Sequence, residues 1–233
     1  MKRTALFLFT RTAESEASHK SFVSHKTHKA NVKIASILIR RAEEIAKHCN
    51  IPFIEITEAQ QHGNNFSERY ANAFADVFAK GFENVISIGN DCTSLSKIIL
   101  QHALSEIENC GAVVGPSKDG GAYLIGFNKK YFQQQSFTAL QWQSENLFSA
   151  LQNYFANQNA YISLLTKLND IDCAEDFLHF IKNNLHSTEK YLKQLIAFYF
   201  GLYFFFKTTF KKRHSLFNIN AASLRGPPAI SFC

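Results

Sequence analysis

Asp91 is the acidic residue of this sequence that is best placed for chemistry. It follows the apolar run Val85–Ile88 by one short turn. Mg²⁺ and Mn²⁺ prefer hard oxygen ligands such as carboxylates, usually together with substrate phosphates and water. The position therefore suits a divalent cation or another ligand, and it also suits a cap for the helix predicted from about Ser94. Position alone leaves both interpretations open.

The densest glycine cluster of the chain is the segment 115–121, Gly-Pro-Ser-Lys-Asp-Gly-Gly. Adjacent glycines allow the backbone to approach a ligand closely, and they also suit a tight turn between two strands. We expect Asp119 to face the same end of the sheet as Asp91. The segment is therefore either a plain hairpin turn or a turn that also forms part of a binding site.

Short apolar runs predict the strands that position these residues. The predicted strands are 4–10, 51–57, 84–88, 112–115, 122–127 and a short strand near 160–165. The amphipathic spacing of apolar residues predicts the helices between them. The predicted helices are 31–48, 66–80 with Gly81 just past its end, one from about Ser94, 144–157 and 174–184.

Strands that alternate with helices over short connections indicate an α/β fold with a mainly parallel central sheet and helices on both faces. Sheets of this kind bind ligands beyond the carboxyl ends of their strands. Four segments fall there, namely 10–30, 57–66, 89–93 and 115–121. Residues 11–30 are polar, and we expect a loop.

The composition narrows the class of protein. The chain has 233 residues, of which 46% are hydrophobic and 23 are Phe. This excludes a disordered or collagen-like chain and indicates an aromatic core or an aromatic surface. The five cysteines are scattered without a CxxC pair, which argues against structural zinc and against a secreted disulfide framework. The apolar run 4–10 is short for a signal peptide, and Arg11, Glu14 and Glu16 follow it where a cleavage site would lie. We therefore expect a cytoplasmic protein.

Charge is distributed unevenly along the chain. Residues 1–50 carry ten basic and four acidic side chains, residues 51–182 carry eight and fourteen, and residues 183–233 carry seven and one. A uniformly basic nucleic-acid-binding protein would not have this acidic middle, so no nucleic-acid partner is expected. The two basic ends are either solvated surface or patches that meet phosphates or an anionic membrane.

The C-terminal part differs from the rest in composition. We expect one domain over 1–184 and a basic, aromatic helical extension over 185–233 that packs on it. Its 12-residue apolar run, 195–206, is too short to cross a bilayer, which takes about 20 residues. Lysines and an arginine flank the run, so the region 190–213 suits packing on the body, a homodimer contact or a peripheral membrane contact.

Three stretches of the sequence together resemble one bacterial family. They are 66–69 (Phe-Ser-Glu-Arg), 85–92 (Val-Ile-Ser-Ile-Gly-Asn-Asp-Cys) and 114–126 (Val-Gly-Pro-Ser-Lys-Asp-Gly-Gly-Ala-Tyr-Leu-Ile-Gly). The resemblance covers about residues 3–182. It is to a domain-of-unknown-function family of GT-A-like (rSAM/selenodomain-associated) glycosyltransferases, within the nucleotide-diphospho-sugar transferase superfamily. Molybdenum cofactor guanylyltransferase and 2-phospho-lactate guanylyltransferase are distant relatives of that family.

The resemblance implies a three-layer GT-A fold, a nucleotide or nucleotide-sugar ligand and a divalent cation, Mg²⁺ or Mn²⁺. It implies that Asp91 binds the metal and that Asp172, in the stretch Asn-Asp-Ile-Asp before a helix, is the second metal-contacting residue. An N-cap of that helix is the alternative for Asp172. Asp119 is the best available general base for an acceptor hydroxyl. The donor-binding residues implied are Arg11, Lys20, Arg69, Gly89, Asn90, Gly120 and Gly121.

The first loop departs from the family pattern, which is Arg-x-Pro-x-x-Gly-x-x-Lys-Thr-Arg-Leu. Arg11 is present and Lys20 lies near the expected lysine, but the proline, the glycine and the Lys-Thr-Arg triplet are missing. A glycine-poor loop makes close approach to phosphates harder, and Glu14 and Glu16 would repel them. We therefore expect a metal-dependent glycosyltransferase that uses a nucleotide-diphospho-sugar. A nucleotidyltransferase of the same fold and a non-catalytic binding protein are the alternatives.

Overall fold

A six-stranded sheet forms the centre of the part of the chain that the computed structural model describes, residues 3–23, 28–186 and 189–201. The strands are β1 Thr4–Phe9, β2 Phe53–Ile56, β3 Asn84–Ile88, β4 Gly111–Pro116, β5 Ala122–Asn128 and β6 Tyr161–Leu164. Their order in the sheet is β2-β1-β3-β5-β4-β6. Only β5 runs against the others, because it pairs antiparallel with both β3 and β4. The predicted mainly parallel sheet is confirmed.

Seven helices accompany these strands in the described residues of the first of two compact units, Met1–Asn183. They are α1 Ala13–His19, α2 His28–Lys47, α3 Phe66–Ala79, α4 Lys97–Cys110, α5 Gln134–Thr138, α6 Leu147–Ala156 and α7 Ala174–Asn183. Two 3₁₀ turns follow β2 and β5, at Glu58–Gln60 and Lys129–Tyr131. The second unit is Asn184–Cys233, and residues 190–201 within it are helical.

The sheet is buried on both faces, as alternating side chains of its central strands show. Residues such as Phe7, Val85 and Phe127 join one core with α3, α5 and α6. Their chain neighbours, such as Leu8 and Ile86, join a second core with α2 and α4. Adjacent side chains of a strand point to opposite faces, so the two cores define the predicted three layers.

Phenylalanine accounts for much of the first core. Phe74 stacks on Phe127 with ring centroids 4.7 Å apart, and Phe7 meets Phe74 edge to face at 4.9 Å. Such aromatic pairs add about 0.5–1.5 kcal/mol beyond the area they bury. The high Phe content therefore builds an aromatic core, one of the two interpretations that the composition allowed.

Local signals place the helices of the first unit. The Asn65 side chain accepts a hydrogen bond from the backbone N–H of Glu68 at the start of α3, and Gly81 follows its end with φ +87°. The position of Gly81 just past the helix end was predicted. Ser96 caps α4, so this helix begins three residues after the predicted Ser94.

The predicted loop 11–30 was wrong in part. Residues 13–19 form α1, and α2 begins at His28, before the predicted residue 31. Helix α1 has no apolar stripe, and its start depends on the Thr12 hydroxyl, which accepts a hydrogen bond from the Ser15 N–H. Helix α5 was also missed, because a five-residue helix is too short for a periodic signal.

The predicted extension 185–233 lies mostly outside the described residues, which stop at residue 201. Its packing on the body, its dimer contact and its membrane contact stay predictions. Within the described ranges, no helix has both the length and the apolar character needed to cross a membrane.

Candidate active site

A cleft of about 600 Å³ opens where the parallel strands end at their carboxyl termini. The end of β1, the end of β3 and the β4–β5 turn all reach it. All the predicted site residues except Gly120 line this cleft, namely Arg11, Lys20, Arg69, Gly89, Asn90, Asp91, Asp119, Gly121 and Asp172. The fold therefore brings together residues that are up to about 160 positions apart in the chain, whereas their individual roles stay predictions.

The Lys20 ammonium lies at the centre of the acidic half of the cleft. Its Nζ is 2.8 Å from Asp91 Oδ2 and 2.6 Å from Asp172 Oδ1. The Ile171 carbonyl is a third oxygen, at 3.4 Å. Two carboxylates from different parts of the chain thus converge on one point, and that point holds a positive charge.

Glu16 is a third carboxylate beside the same lysine. From the sequence it was expected to repel phosphate. It is 4% exposed, and its carboxylate is 3.7 Å from both Lys20 Nζ and Arg11 Nη1. The two cations therefore partly neutralise the negative charge that was expected to repel phosphate. Helix α1 brings Glu16 and Lys20 together, because they are four residues apart at its end.

The charges in this cluster shift the pKa of two groups. Burial alone would raise the pKa of Asp91, but the Lys20 ammonium outweighs it and holds that pKa below its usual value. Burial alone would lower the pKa of Lys20, but Asp91 and Asp172 outweigh it and raise that pKa above its usual value. Both groups are therefore charged at neutral pH.

Asp170 is an acidic neighbour that was noted in the sequence but not assigned to the site. It lines the cleft, and its Oδ1 is buried with no hydrogen-bond partner in the described part of the chain. Burial and then the negative charge of Asp91 raise the pKa of Asp170 to about 8. This carboxyl group is therefore mostly protonated at neutral pH when no cation other than Lys20 lies nearby.

The geometry decides both helix-cap alternatives. Asp91 does not cap the helix after β3, because Ser96 does. Asp172 does not cap α7 with its side chain, because that side chain binds Lys20. The Asp176 carboxylate closes the helix start instead, since it accepts hydrogen bonds from the backbone N–H groups of Asp172 and Cys173 at 3.2 and 3.0 Å.

The segment 117–121 connects β4 to β5, so the predicted hairpin is confirmed and the same turn lines the cleft. Asp119 is exposed, and its Oδ1 accepts a hydrogen bond from the Gly121 N–H at 3.0 Å. Gly120 does not line the cleft, because it packs against the backbone of the 145–148 segment. Its φ is +92°, and a Cβ on it would lie 2.0 Å from the Glu145 carbonyl oxygen. Only glycine fits that position.

Gly89 and Asn90 shape the turn after β3. A Cβ on Gly89 would lie 2.9 Å from Asp91 Oδ1, so the glycine leaves room for that carboxylate. The Thr10 hydroxyl donates to Asn90 Oδ1 at 3.1 Å in a buried bond between the ends of β1 and β3. Both residues therefore hold the position of the acidic cluster.

The carboxylate oxygens around Lys20 suit a divalent cation. No group of three or more His, Cys, Asp or Glu side chains in the described ranges is arranged to hold a metal ion. Asp91 and Asp172, however, already meet at one cation, and Mg²⁺ commonly takes one or two carboxylates with substrate phosphates and water. The two carboxylates fit a metal that a phosphate ligand completes.

The other half of the cleft is aromatic, and sequence reasoning missed it. Phe9, Phe66, Tyr70 and Trp142 form a continuous cluster, here called the aromatic wall. Phe66 and Tyr70 come from α3, Phe9 ends β1, and Trp142 lies between α5 and α6. A signal existed, because Trp142 is the single tryptophan of the chain. Contacts between such distant aromatics, however, are invisible in the sequence.

This α/β architecture is shared with a solved structure. A "putative nucleotide-diphospho-sugar transferase" of known crystal structure from Desulfovibrio desulfuricans G20 superposes with a TM-score of 0.71. The two chains are 18% identical, and the match covers 84% of this chain and 98% of that one. At this level of identity the likeness shows the fold alone.

The chain belongs to the family described as "Uncharacterized protein conserved in bacteria (DUF2064)", whose model matches residues 26–144. No curated protein matches the sequence.

Two further solved structures are more distant. One is a cytidylyltransferase from Leptospira borgpetersenii serovar Hardjo-bovis, with 10% identity, a TM-score of 0.45 and a match over 99% of this chain and 100% of that one. The other is Rv0371C from Mycobacterium tuberculosis H37Rv in complex with manganese, with 10% identity, a TM-score of 0.42 and a match over 78% and 99%. These likenesses are too weak to support an inference about this chain.

Proposed function

We propose that the protein is a divalent-metal-dependent glycosyltransferase that uses a nucleotide-diphospho-sugar donor. One observation carries the proposal. Asp91 and Asp172 converge on the Lys20 ammonium, with carboxylate oxygens 2.8 Å and 2.6 Å from its Nζ. The fold of the chain is the second support, because a "putative nucleotide-diphospho-sugar transferase" shares it.

The donor diphosphate would lie at the acidic half of the cleft. Asp91 and Asp172 would hold Mg²⁺ or Mn²⁺, which supplies Lewis-acid stabilisation of the charge that develops on the leaving diphosphate. Lys20 and Arg11 line the same half, and their positive charges would bind the phosphate oxygens. Phosphate binding requires Lys20 to leave the carboxylates, because its three N–H donors are directed at Asp91, Asp172 and the Ile171 carbonyl.

Asp119 would accept the proton of the acceptor hydroxyl. Its Oδ1 is held by the Gly121 N–H, and the exposed carboxylate lines the cleft. As the proton moves to Asp119, the acceptor oxygen forms a bond to the anomeric carbon of the sugar. The bond from that carbon to the diphosphate oxygen breaks, and the nucleoside diphosphate leaves with the bonding electrons.

Release of product distinguishes this proposal from nucleotidyl transfer. We would incubate the protein with Mn²⁺ and, in separate reactions, nucleotide-sugars with acceptors and nucleoside triphosphates with sugar phosphates, and measure nucleoside diphosphate and pyrophosphate in each. Nucleoside diphosphate is the expected product, whereas pyrophosphate from a nucleoside triphosphate and sugar phosphate would support a nucleotidyltransferase. Metal-dependent binding with neither product would indicate a non-catalytic binding protein.

The Asp91→Asn variant tests the role of the acidic pair. We expect metal-dependent donor binding and turnover to fall by at least about 100-fold, because one of two carboxylate ligands becomes a neutral amide. Asp76→Asn is the matched control, since Asp76 is an exposed carboxylate of α3 that pairs with His62 outside the cleft. Equal turnover in wild type and Asp91→Asn would contradict the proposal.

A further inference from the structure

We infer that the aromatic wall is the acceptor subsite, and that it selects an anionic ring alcohol. Such an acceptor carries its reacting hydroxyl on a ring with a flat apolar face, and it also bears a carboxylate or phosphate group. The inference rests on the proposed glycosyl transfer, because it names the acceptor of that reaction.

The wall offers apolar ring surface on the side of the cleft away from the acidic cluster, and Phe66 and Tyr70 within it are stacked at an interplanar angle of 16°. Tyr70 is 8% exposed and lies at its base, whereas Phe9, Phe66 and Trp142 are partly exposed. The ring centroids of Phe66 and Trp142 are 6.0 Å apart, and those of Tyr70 and Trp142 are 4.9 Å apart. Ligand clefts lined by aromatic rings with a few polar groups hold a ring by stacking and orient it through the polar groups.

Trp142 can offer a ligand only its ring. The indole Nε1 donates to the Phe137 carbonyl at 2.9 Å, so its one hydrogen-bond donor is used inside the protein. The same bond fixes the orientation of the ring. Recognition at this side chain therefore depends on stacking and not on hydrogen bonds.

The segment that carries Trp142 is in contact with the turn that carries Asp119. The turn that carries Asp119 contacts the segment just after Trp142, because the Phe148 N–H donates to the Gly120 carbonyl at 2.9 Å. The close approach of Gly120 to the Glu145 backbone is a second contact between these two segments. Asp119 and Trp142 line the same cleft, so a ring stacked on the wall would direct its hydroxyl towards the proposed general base, which favours an acceptor over the donor's nucleobase.

Arg69, which the family resemblance assigned to the donor, supplies the charge preference of this acceptor subsite. It lines the cleft one helical turn after Phe66, so both side chains lie on the same face of α3. No carboxylate in the described part of the chain lies within ion-pair distance of its guanidinium. Guanidinium groups are always charged and match carboxylate and phosphate oxygens in a bidentate geometry. An anionic group on the acceptor would complete that pair.

The single tryptophan makes the subsite directly observable. We would titrate the 233-residue chain, without donor, with 4-hydroxybenzoate, glucuronate and glucose 6-phosphate, and follow the fluorescence of Trp142. Phenol and glucose are the neutral counterparts. We expect a saturable response to at least one anionic ring alcohol, with affinity at least about tenfold above that of its neutral counterpart. No saturable response to any of the three, or equal affinity for the neutral ring, would overturn the inference.

The three probes separate the possible sources of the same chemistry. A response to 4-hydroxybenzoate alone indicates an aromatic acid, a response to glucuronate alone indicates a sugar acid, and a response to glucose 6-phosphate alone indicates a sugar phosphate. Each of these outcomes supports the inference and narrows the acceptor.

Two variants with matched controls assign the contacts and keep the fluorescent reporter. Phe66→Leu should weaken binding of the ring about 3–10-fold by loss of stacking. Phe53→Leu, on strand β2 outside the cleft, should not. Arg69→Gln should abolish the preference for the anionic ring, whereas Arg40→Gln, on the exposed face of α2, should retain it.

Donor binding to the same variants separates this inference from the proposed function. If Phe66→Leu weakens binding of a nucleotide-sugar and not of the ring acid, the wall holds the nucleobase and the acceptor assignment is wrong. If wild type binds the ring acid but no nucleotide-sugar, the proposed glycosyl transfer fails while the anionic ring site stands.

Discussion

Lys20 gives the acidic cluster its own counter-charge, and this has a consequence for metal binding. The ammonium and a divalent cation would need the same oxygens of Asp91 and Asp172. A cation must therefore displace a charge-assisted hydrogen-bond donor, and each such bond is worth about 1.5–3 kcal/mol. Metal binding to the wild-type protein is weakened by that amount unless a phosphate accepts the displaced ammonium.

Replacement of Lys20 by Met should consequently tighten Mn²⁺ binding. We expect an affinity increase of about 10–100-fold in the absence of nucleotide, because the competing cation is removed while the side-chain volume is largely kept. Isothermal titration calorimetry on chelator-treated protein measures it. The control is Lys118→Met, an exposed lysine of the β4–β5 turn that does not line the cleft. Unchanged or weaker Mn²⁺ binding in Lys20→Met would refute the competition.

Asp170 predicts a dependence of stability on pH. Its pKa is raised to about 8 in the folded protein, against about 4 in an unfolded chain. The folded state thus binds the extra proton between these values, so this group destabilises the protein increasingly as the pH rises from about 4 to about 8. Asp170→Asn should remove that effect and raise stability at pH 7 by on the order of 1–3 kcal/mol.

Thermal unfolding in the presence of a chelator tests this prediction across the pH range. The melting temperature of Asp170→Asn should exceed that of wild type at pH 7, and the two should approach each other near pH 4. Asp76→Asn, an exposed carboxylate, should follow wild type. A constant difference at all pH values would indicate a packing effect instead of a titration effect.

For single residues, the sequence predicted which acidic side chains lie in the cleft but not which side chains they contact. Asp91, Asp119 and Asp172 were identified because they follow predicted strands or match a family motif. The bridging position of Lys20 and the pairing of Glu16 with it could not be predicted, because both depend on the unrecognised helix α1. Charge alone suggested that Glu16 would repel a ligand, whereas geometry gives it two cationic neighbours.

The β4–β5 hairpin contributes residues to the cleft and also contacts the segment that follows Trp142. Its turn brings Asp119 and Gly121 to the cleft, and Gly120 fixes it against the 145–148 segment. The left-handed φ of Gly120 and the close Glu145 carbonyl both exclude a side chain there. The turn therefore cannot shift without breaking its contact with the residues that follow Trp142.

Gly120→Ala should accordingly destabilise the protein by about 2–4 kcal/mol, since the new Cβ would meet backbone atoms that cannot rotate away. Gly121→Ala is the matched control. It lacks a positive φ, and its nearest contact would be the Ser117 hydroxyl at 3.0 Å, so we expect a smaller loss. Denaturant unfolding measures both, and equal stability of the two variants would contradict the argument.

The periodic elements were largely predictable, and the short ones were not. Short, mostly apolar runs such as 84–88 and the apolar stripe of α3 predicted strands and helices close to the observed ones. Helices α1 and α5 have seven and five residues, too few for an apolar period to show. Their formation depends on caps and on tertiary contacts such as the burial of Phe137.

At the scale of the whole molecule, the cleft belongs entirely to the first unit. The residues that line it fall between Phe9 and Asp172, and the unit itself extends to Asn183. We therefore expect a chain that ends at Asn183 to bind nucleotide-sugars with the affinity of the full chain, within about threefold. Calorimetric titration of both chains checks it. A tenfold loss in a folded truncated chain would show that residues after 183 contribute to binding.

The reversed direction of β5 has a further consequence, for motion. The turn at 117–121 is held at both ends by strands in the interior of the sheet, with β5 between β3 and β4. Such a turn is too short and too firmly anchored to swing over a bound substrate. Closure of the cleft would instead involve other segments of its rim, of which α1 and the stretch 139–144 are two. Slow amide exchange in the turn and faster exchange at those two rim segments would be the signature of that division.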